Sequence, residues 1–170
     1  MRKKSENKPK RPAEIESMSD EELIQLRAAL EVEMRQRGVA FSIGDIGEEL
    51  AIKYFNSTPG LPNLKAADTG TKNVDANSRN GERYSIKTIW KAKKTGTIYP
   101  DPNEKEKQLF EFLLIAQLKD DLTLKSIYEF SWNEFIEVRS WDSRMSAWYV
   151  PCSLKVLSRA ERILKQAATD

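Results

Sequence analysis

Three features of this 170-residue chain predict an α/β domain whose central mixed sheet is flanked by helices, with an extra helix at the N-terminus. Apolar runs of strand length are interspersed with segments of helical spacing, and that mixed order suits a sheet covered by helices. Residues 110–118 are almost continuously apolar, the pattern of a strand buried on both faces. Hydrophobic residues make up 39% of the chain, enough for one domain with a core of its own.

Residues 1–17 are polar, rich in lysine and carry Pro9 and Pro12, so a flexible basic tail is expected there. Ser19 with Glu22 three residues on forms a capping box and opens a helix within residues 18–40. Leu23, Leu26, Leu30 and Met34 follow at helical spacing, and Gly38 ends the helix. Its apolar stripe is narrow and packs either on the body or on a second copy of the chain, as in a homodimer.

The body spans residues 41–170. Its first helix starts near Ser42 and runs through Phe55. Gly44 and Gly47 in its opening turns each cost about 1 kcal/mol against alanine, so another backbone is expected to come close there. Residues 57–70, with Pro59, Gly60 and Pro62, read as a loop. A short strand around Val74-Asp75-Ala76, a turn ending Asn80-Gly81 and a strand over residues 83–90 form a hairpin. Further strands are expected over residues 110–118 and 123–130, with a short edge strand over residues 147–150, giving five strands in all. Ser131 caps a short helix bearing Trp132, Phe135 and Ile136, and Ser153 caps a last helix bearing Leu154, Leu157, Ile163 and Leu164.

Composition excludes a good deal of chemistry. The chain has one cysteine, Cys152, and no histidine, which rules out an intramolecular disulfide, a zinc site of the usual Cys/His kind and any histidine-based catalysis. A metal must then be hard and oxygen-bound, which points to Mg²⁺ or Mn²⁺. Neither a Gly-x-x-x-x-Gly-Lys loop nor a Gly-x-Gly-x-x-Gly turn is present, so no nucleotide cofactor is expected. No apolar run approaches the ~20 residues of a membrane span, and no apolar leader opens the chain, so the expected location is the cytoplasm, with no membrane partner.

Net charge is +2, from 28 Lys and Arg against 26 Asp and Glu. Residues 1–12 hold Arg2, Lys3, Lys4, Lys8, Lys10 and Arg11 against Glu6 alone, so the remainder is mildly acidic. The basic segment reads either as a solvated leader or as an arm that grips phosphates without reading sequence.

The most informative stretch runs from Asp75 to Lys87. Strand alternation puts Ser85 and Lys87 on one side and Tyr84, Ile86 and Thr88 on the other. A lysine inside a strand-like run must leave the core or be paired, and the hairpin brings Asp75 to it. Taken alone, such a pair is most often a surface ion pair worth under about 1 kcal/mol. An acid and a lysine at a sheet edge are also a minimal site for metal-assisted phosphodiester cleavage.

The ordered set of Glu48, Asp75, Ser85-Ile86-Lys87 and the apolar run after it resembles the restriction-endonuclease-like, or PD-(D/E)XK, nuclease superfamily. Within it, the Gly44-Asp45-Ile46-Gly47-Glu48 helix and the polar-x-Lys strand resemble an uncharacterised bacterial and phage subgroup. The resemblance spans residues 42–130. It implies that Glu48 and Asp75 are metal ligands with the main-chain carbonyl of Ile86, that Lys87 orients or deprotonates the attacking water or neutralises phosphorane charge, and that the ion is Mg²⁺ or Mn²⁺. Ser85 stands where the family usually has an acid. Three outcomes follow: Glu48 supplies the missing carboxylate, Ser85 holds a metal-bound water, or metal binding is lost and nucleic-acid binding kept. Glu49 competes with Glu48 for the helix role, and Asp45 shares its face or simply favours the helix N-terminus.

Lys91, Lys93 and Lys94 follow the lysine strand and read either as phosphate contacts or as a solvated loop. With Lys3, Lys4, Lys10 and Arg11 of the tail they are the expected nucleic-acid-binding residues. The tryptophans read as core or lid. The resulting expectation is a Mg²⁺-dependent DNA endonuclease acting in restriction, defence or repair. Its alternatives are a catalytically inactive DNA-binding or regulatory module of the same fold, and a structural protein that dimerises through its first helix.

Overall fold

The computed structural model describes residues 13–40 and 42–164. The tail residues Lys3, Lys4, Lys10 and Arg11 lie outside them. Residues 13–16, expected to belong to the flexible tail, instead form a single helical turn, α1 (Ala13–Glu16). Helix α2 (Asp20–Gln36) begins at the expected capping box, in which Ser19 Oγ accepts from the Glu22 N–H and the Glu22 carboxylate accepts from the Ser19 N–H. Gly38 follows the helix at φ 64°, a left-handed conformation that suits glycine. No residue of α2 is buried. Its capping box and the Arg27–Glu31 and Arg37–Glu33 pairs support it locally.

Helix α3 (Ile43–Ser57) is capped by Ser42 and buries Gly47, Ala51 and Phe55 against the sheet. The sheet is mixed, with strand order β1 (Leu64–Ala66), β2 (Ala76–Ser78), β3 (Arg83–Ile89), β4 (Phe112–Leu118), β5 (Leu124–Ser131), β8 (Glu161–Leu164). Only β3 and β4 run parallel; the other neighbours are antiparallel. Helix α4 (Trp132–Val138) follows β5 through the capping box of Ser131 and Glu134. A separate two-stranded ribbon pairs β6 (Ser140–Asp142) with β7 (Ala147–Tyr149), and α5 (Leu154–Leu157) precedes β8.

The sheet therefore has six strands, not five. The expected edge strand near residue 147 pairs with β6 instead and leaves the main sheet. Two unexpected strands take the edges. β1 lies in a stretch read as loop; Asn56 clamps it, accepting from the Leu64 N–H at 2.7 Å and donating to the Leu64 C=O at 2.9 Å. The expected last helix stops after one turn. Ile163 and Leu164 sit instead in β8, whose backbone completes the hydrogen bonding of β5.

Two apolar clusters cover the sheet faces. Tyr84, Ile86, Leu114, Ala116 and Ile127 pack with Ala51 and Phe55 of α3. Ile89, Leu113, Ile115, Tyr128 and Phe130 pack with Trp132 and Phe135 of α4 on the other face. Among the described residues, no helix is long and apolar enough to cross a membrane.

Candidate active site

The turn that pairs β2 with β3 is closed by Gly81 at φ 84° and by Ser78, whose Oγ donates to the Glu82 carboxylate at 2.9 Å. The strand expected around Val74-Asp75-Ala76 begins just after the acid, so Asp75 immediately precedes β2. Its N–H still donates to the Tyr84 C=O at 2.8 Å, continuing the ladder by one rung. At the next rung a side chain replaces the backbone. The Ile86 N–H donates to Asp75 Oδ2 at 2.6 Å. Ser85 Oγ lies 3.3 Å and Lys87 Nζ 3.6 Å from the same oxygen.

The alternation along β3 explains this gathering. Tyr84 and Ile86 point to the α3 side, so Arg83, Ser85 and Lys87 share the opposite face. Ser85 is fully buried at 0% exposure, while the Asp75 and Lys87 side chains keep 24% and 20% of theirs. The Ile86 carbonyl points the same lateral way as its N–H, toward the place where β2 has ended. Asp75 Oδ1 has no partner among the described residues.

Glu48 reaches this edge from α3. Helix and strand meet with little clearance: a Cβ on Gly47 would fall 2.7 Å from Thr88 Cβ and closer still to Oγ1 and Cγ2. Thr88 Oγ1 donates to the Gly44 carbonyl at 3.0 Å. Gly47 is thus the glycine that needs to be one. Gly44 is not crowded, because a Cβ there would meet only Ser42 Oγ at 4.0 Å, and its part is to offer the carbonyl.

Glu48 is half-buried and lines a groove of about 620 Å³ with Asp45, Glu49 and Ile52. Burial raises its carboxyl above the ordinary range, the negative charges of Asp75 and Asp45 add to this, and Lys87 opposes it. Of the two adjacent glutamates, Glu48 is the one in the field of Asp75 and Lys87, and Glu49 is exposed. Asp45 donates its N–H to Ser42 Oγ in the first turn of α3.

Among the described residues, no three acidic or cysteine side chains converge as a site built wholly from such groups would require. The donors at hand are two carboxylates, Glu48 and Asp75, and the Ile86 carbonyl. A vacant carboxylate oxygen on Asp75, a second carboxylate under like-charge pressure and an oxygen-only donor set fit an ion that keeps several waters, such as Mg²⁺ or Mn²⁺. A softer metal would find no nitrogen or sulfur ligand here.

The lysines after β3 divide. Lys91 adopts φ 56°, lies over the Trp90 ring at 4.5 Å and stands 3.8 Å from Asp120. Lys94 pairs with Asp142 at 3.4 Å and covers the Tyr149 ring at 4.5 Å. Lys93 is exposed and has no carboxylate partner among the described residues. Trp132 is core, whereas Trp141 and Trp148 meet edge to face at 4.6 Å. The Arg139 guanidinium stacks 3.8 Å over Trp148 and pairs with Glu106.

Sequence reasoning missed Thr88 as the residue that seats α3, although a glycine at a helix position where alanine would be better was its visible signal. It also missed that a carboxylate would serve as a rung of the ladder, which no local pattern announces. No protein-family model matches the chain, and no match was found among curated proteins.

Proposed function

We propose that this chain is a divalent-cation-dependent DNA endonuclease of the restriction-endonuclease-like, PD-(D/E)XK type. The observation that carries the reading is the Asp75 carboxylate, held by the Ile86 N–H and the Ser85 hydroxyl with Lys87 3.6 Å away, at the point where the β2–β3 ladder opens. Glu48 facing it from α3, and the polar-x-Lys strand lying beside the buried parallel strand β4, support the same reading.

Asp75, Glu48 and the Ile86 carbonyl would hold Mg²⁺ or Mn²⁺. Such an ion, when bound, polarises the phosphate and lowers the pKa of a coordinated water. The chain's own residues then have distinct tasks. The Ile86 N–H and Ser85 hydroxyl fix the orientation of Asp75. The Lys87 ammonium, confined between strand and solvent, offers charge-assisted hydrogen bonds to the attacking water or to the phosphate oxygens as their charge grows. Glu48, half-buried and in the field of Asp75, is placed to complete the ligand set or to hold a water beside it.

One observation favours a second reading. Ser85 is neutral and fully buried where a further carboxylate would complete the site. On that reading the protein binds DNA without cutting it.

Incubation with supercoiled plasmid and Mg²⁺ or Mn²⁺ separates the two. Nicking by the native chain, reduced at least about a hundredfold in Asp75→Ala and Lys87→Ala, is the expected result. Undiminished nicking in both variants would sink the assignment. DNA binding that survives EDTA, with no nicking by the native chain, would establish the second reading.

A further inference from the structure

A second concavity lies next to the candidate site on the same face of the sheet. Its volume is about 750 Å³, and Val74, the neighbour of Asp75, forms part of its wall. Arg83 also lines it and shares its sheet face with Ser85 and Lys87. Arg83 and Lys87 are four residue steps apart along the strand, roughly 13 Å at ~3.3 Å per residue. Tyr99, Pro100, Lys72, Asp101 and Lys107 line it as well.

The chemistry of this cleft is specific. Tyr99 is 48% exposed, and its ring stacks on no other aromatic among the described residues. Its backbone is fixed, because Asn73 Nδ2 donates to the Tyr99 carbonyl at 2.9 Å. Asn73 itself takes φ 59°, a turn conformation that asparagine tolerates. Arg83 is engaged by Glu111 at 2.7 Å and Lys107 by Asp101 at 3.2 Å. Lys72 has no carboxylate partner among the described residues. A half-exposed tyrosine that stacks on no other ring, apolar lining residues and an unpaired ammonium suit a nucleotide, which needs a surface to stack its base and a cation for its phosphate. The volume lies in the range of ~300–1,000 Å³ usual for small-ligand sites.

We infer that this cleft receives one unpaired nucleotide of the DNA strand, within a few nucleotides of the phosphate at Asp75 and Lys87, with its base on Tyr99 and its phosphate on Lys72. The inference rests on the DNA-cleaving reading for its choice of ligand. A base inside a duplex stays stacked on its neighbours and cannot enter a concavity; a single-stranded or extruded base can. The preferred substrate is then DNA with a single-stranded segment or end.

The test is fluorescence anisotropy of the full chain with a fluorescein-labelled twelve-nucleotide oligothymidine and with a blunt duplex of equal length, Ca²⁺ replacing Mg²⁺. Tyr99→Ala should weaken single-strand binding about tenfold, the scale of one lost base stack, and Tyr99→Phe should preserve it. Lys72→Ala should weaken it by about threefold, and both variants should bind the duplex as the native chain does. Unchanged single-strand binding in Tyr99→Ala and Lys72→Ala would overturn the inference, as would equal losses on both probes or a native chain that binds neither. The plasmid assay keeps the two readings apart. Tyr99-dependent binding without nicking would leave the cleft assigned and remove the nuclease; nicking with an indifferent Tyr99 would do the reverse.

Discussion

Gly47 and Thr88 occupy space that would hold one more carbon only by displacing something: a Cβ on the glycine would lie 2.7 Å from the Cβ of the threonine. Gly47→Ala should therefore cost about 1–3 kcal/mol by overpacking, more than the ~1 kcal/mol that alanine returns in helix propensity. Urea unfolding should show the lowered midpoint, and adding Thr88→Ala should recover part of it. A stabilised Gly47→Ala protein would mean that α3 does not sit this close to β3.

Ser85→Asp would place a carboxylate at a position of 0% exposure beside Asp75. In EDTA the variant should lose roughly 3 kcal/mol, the scale of an uncompensated buried charge. Mn²⁺ should restore it and raise its melting temperature more than that of the native chain. A variant indifferent to Mn²⁺ would argue against an ion at this edge.

Glu129 offers a pH test far from that chemistry. Burial, and then Glu161, Glu82 and Glu134, push its carboxyl up to about 7 from 4.5. The folded chain thus holds a proton that the unfolded chain releases. Stability should fall as pH rises from about 4.5 to about 7 and level off above. Glu129→Gln should be neutral near pH 4 and stabilising at pH 8 by roughly 1–2 kcal/mol, a figure reduced for the group's partial exposure. Parallel urea titrations at the two pH values check it; equal effects at both would refute the assignment.

Deleting residues 1–12 removes six cations and one acid. DNA affinity should fall, and the salt dependence of binding should flatten by about 0.9 in slope for each phosphate that the arm no longer neutralises. An unaltered slope would make the segment a mere leader.

Where a local chemical rule acts, the sequence is legible. Ser19 with Glu22, Ser131 as a helix cap and the glycine of the Asn80-Gly81 turn are each read from a few adjacent residues, and the structure shows the caps and the turn. Strand alternation and one turn pair Asp75 with Lys87, and the two lie 3.6 Å apart. The edge strands are not legible because their reasons are distant. β1 depends on the Asn56 side chain eight residues away, and β8 on an open edge of β5 that only the folded sheet presents. Leu154, Leu157, Ile163 and Leu164 keep a helical spacing, yet the last two answer to β5 instead. Tyr99 is hidden for the same reason: nothing near it in the chain indicates that Asn73 bonds its carbonyl or that Arg83 lines the same cleft.

The hydrogen bond from the Ile86 N–H to Asp75 gives the site a built-in reporter. A backbone carbonyl keeps its acceptor strength whatever the solution contains, whereas a carboxylate oxygen loses electron density to a proton or a cation. The Ile86 amide proton should accordingly resonate far downfield while Asp75 is ionised and move upfield as the oxygen is drawn elsewhere. Nitrogen-edited spectra collected through a Mg²⁺ titration would follow occupancy at one assigned peak, with no substrate and no turnover required.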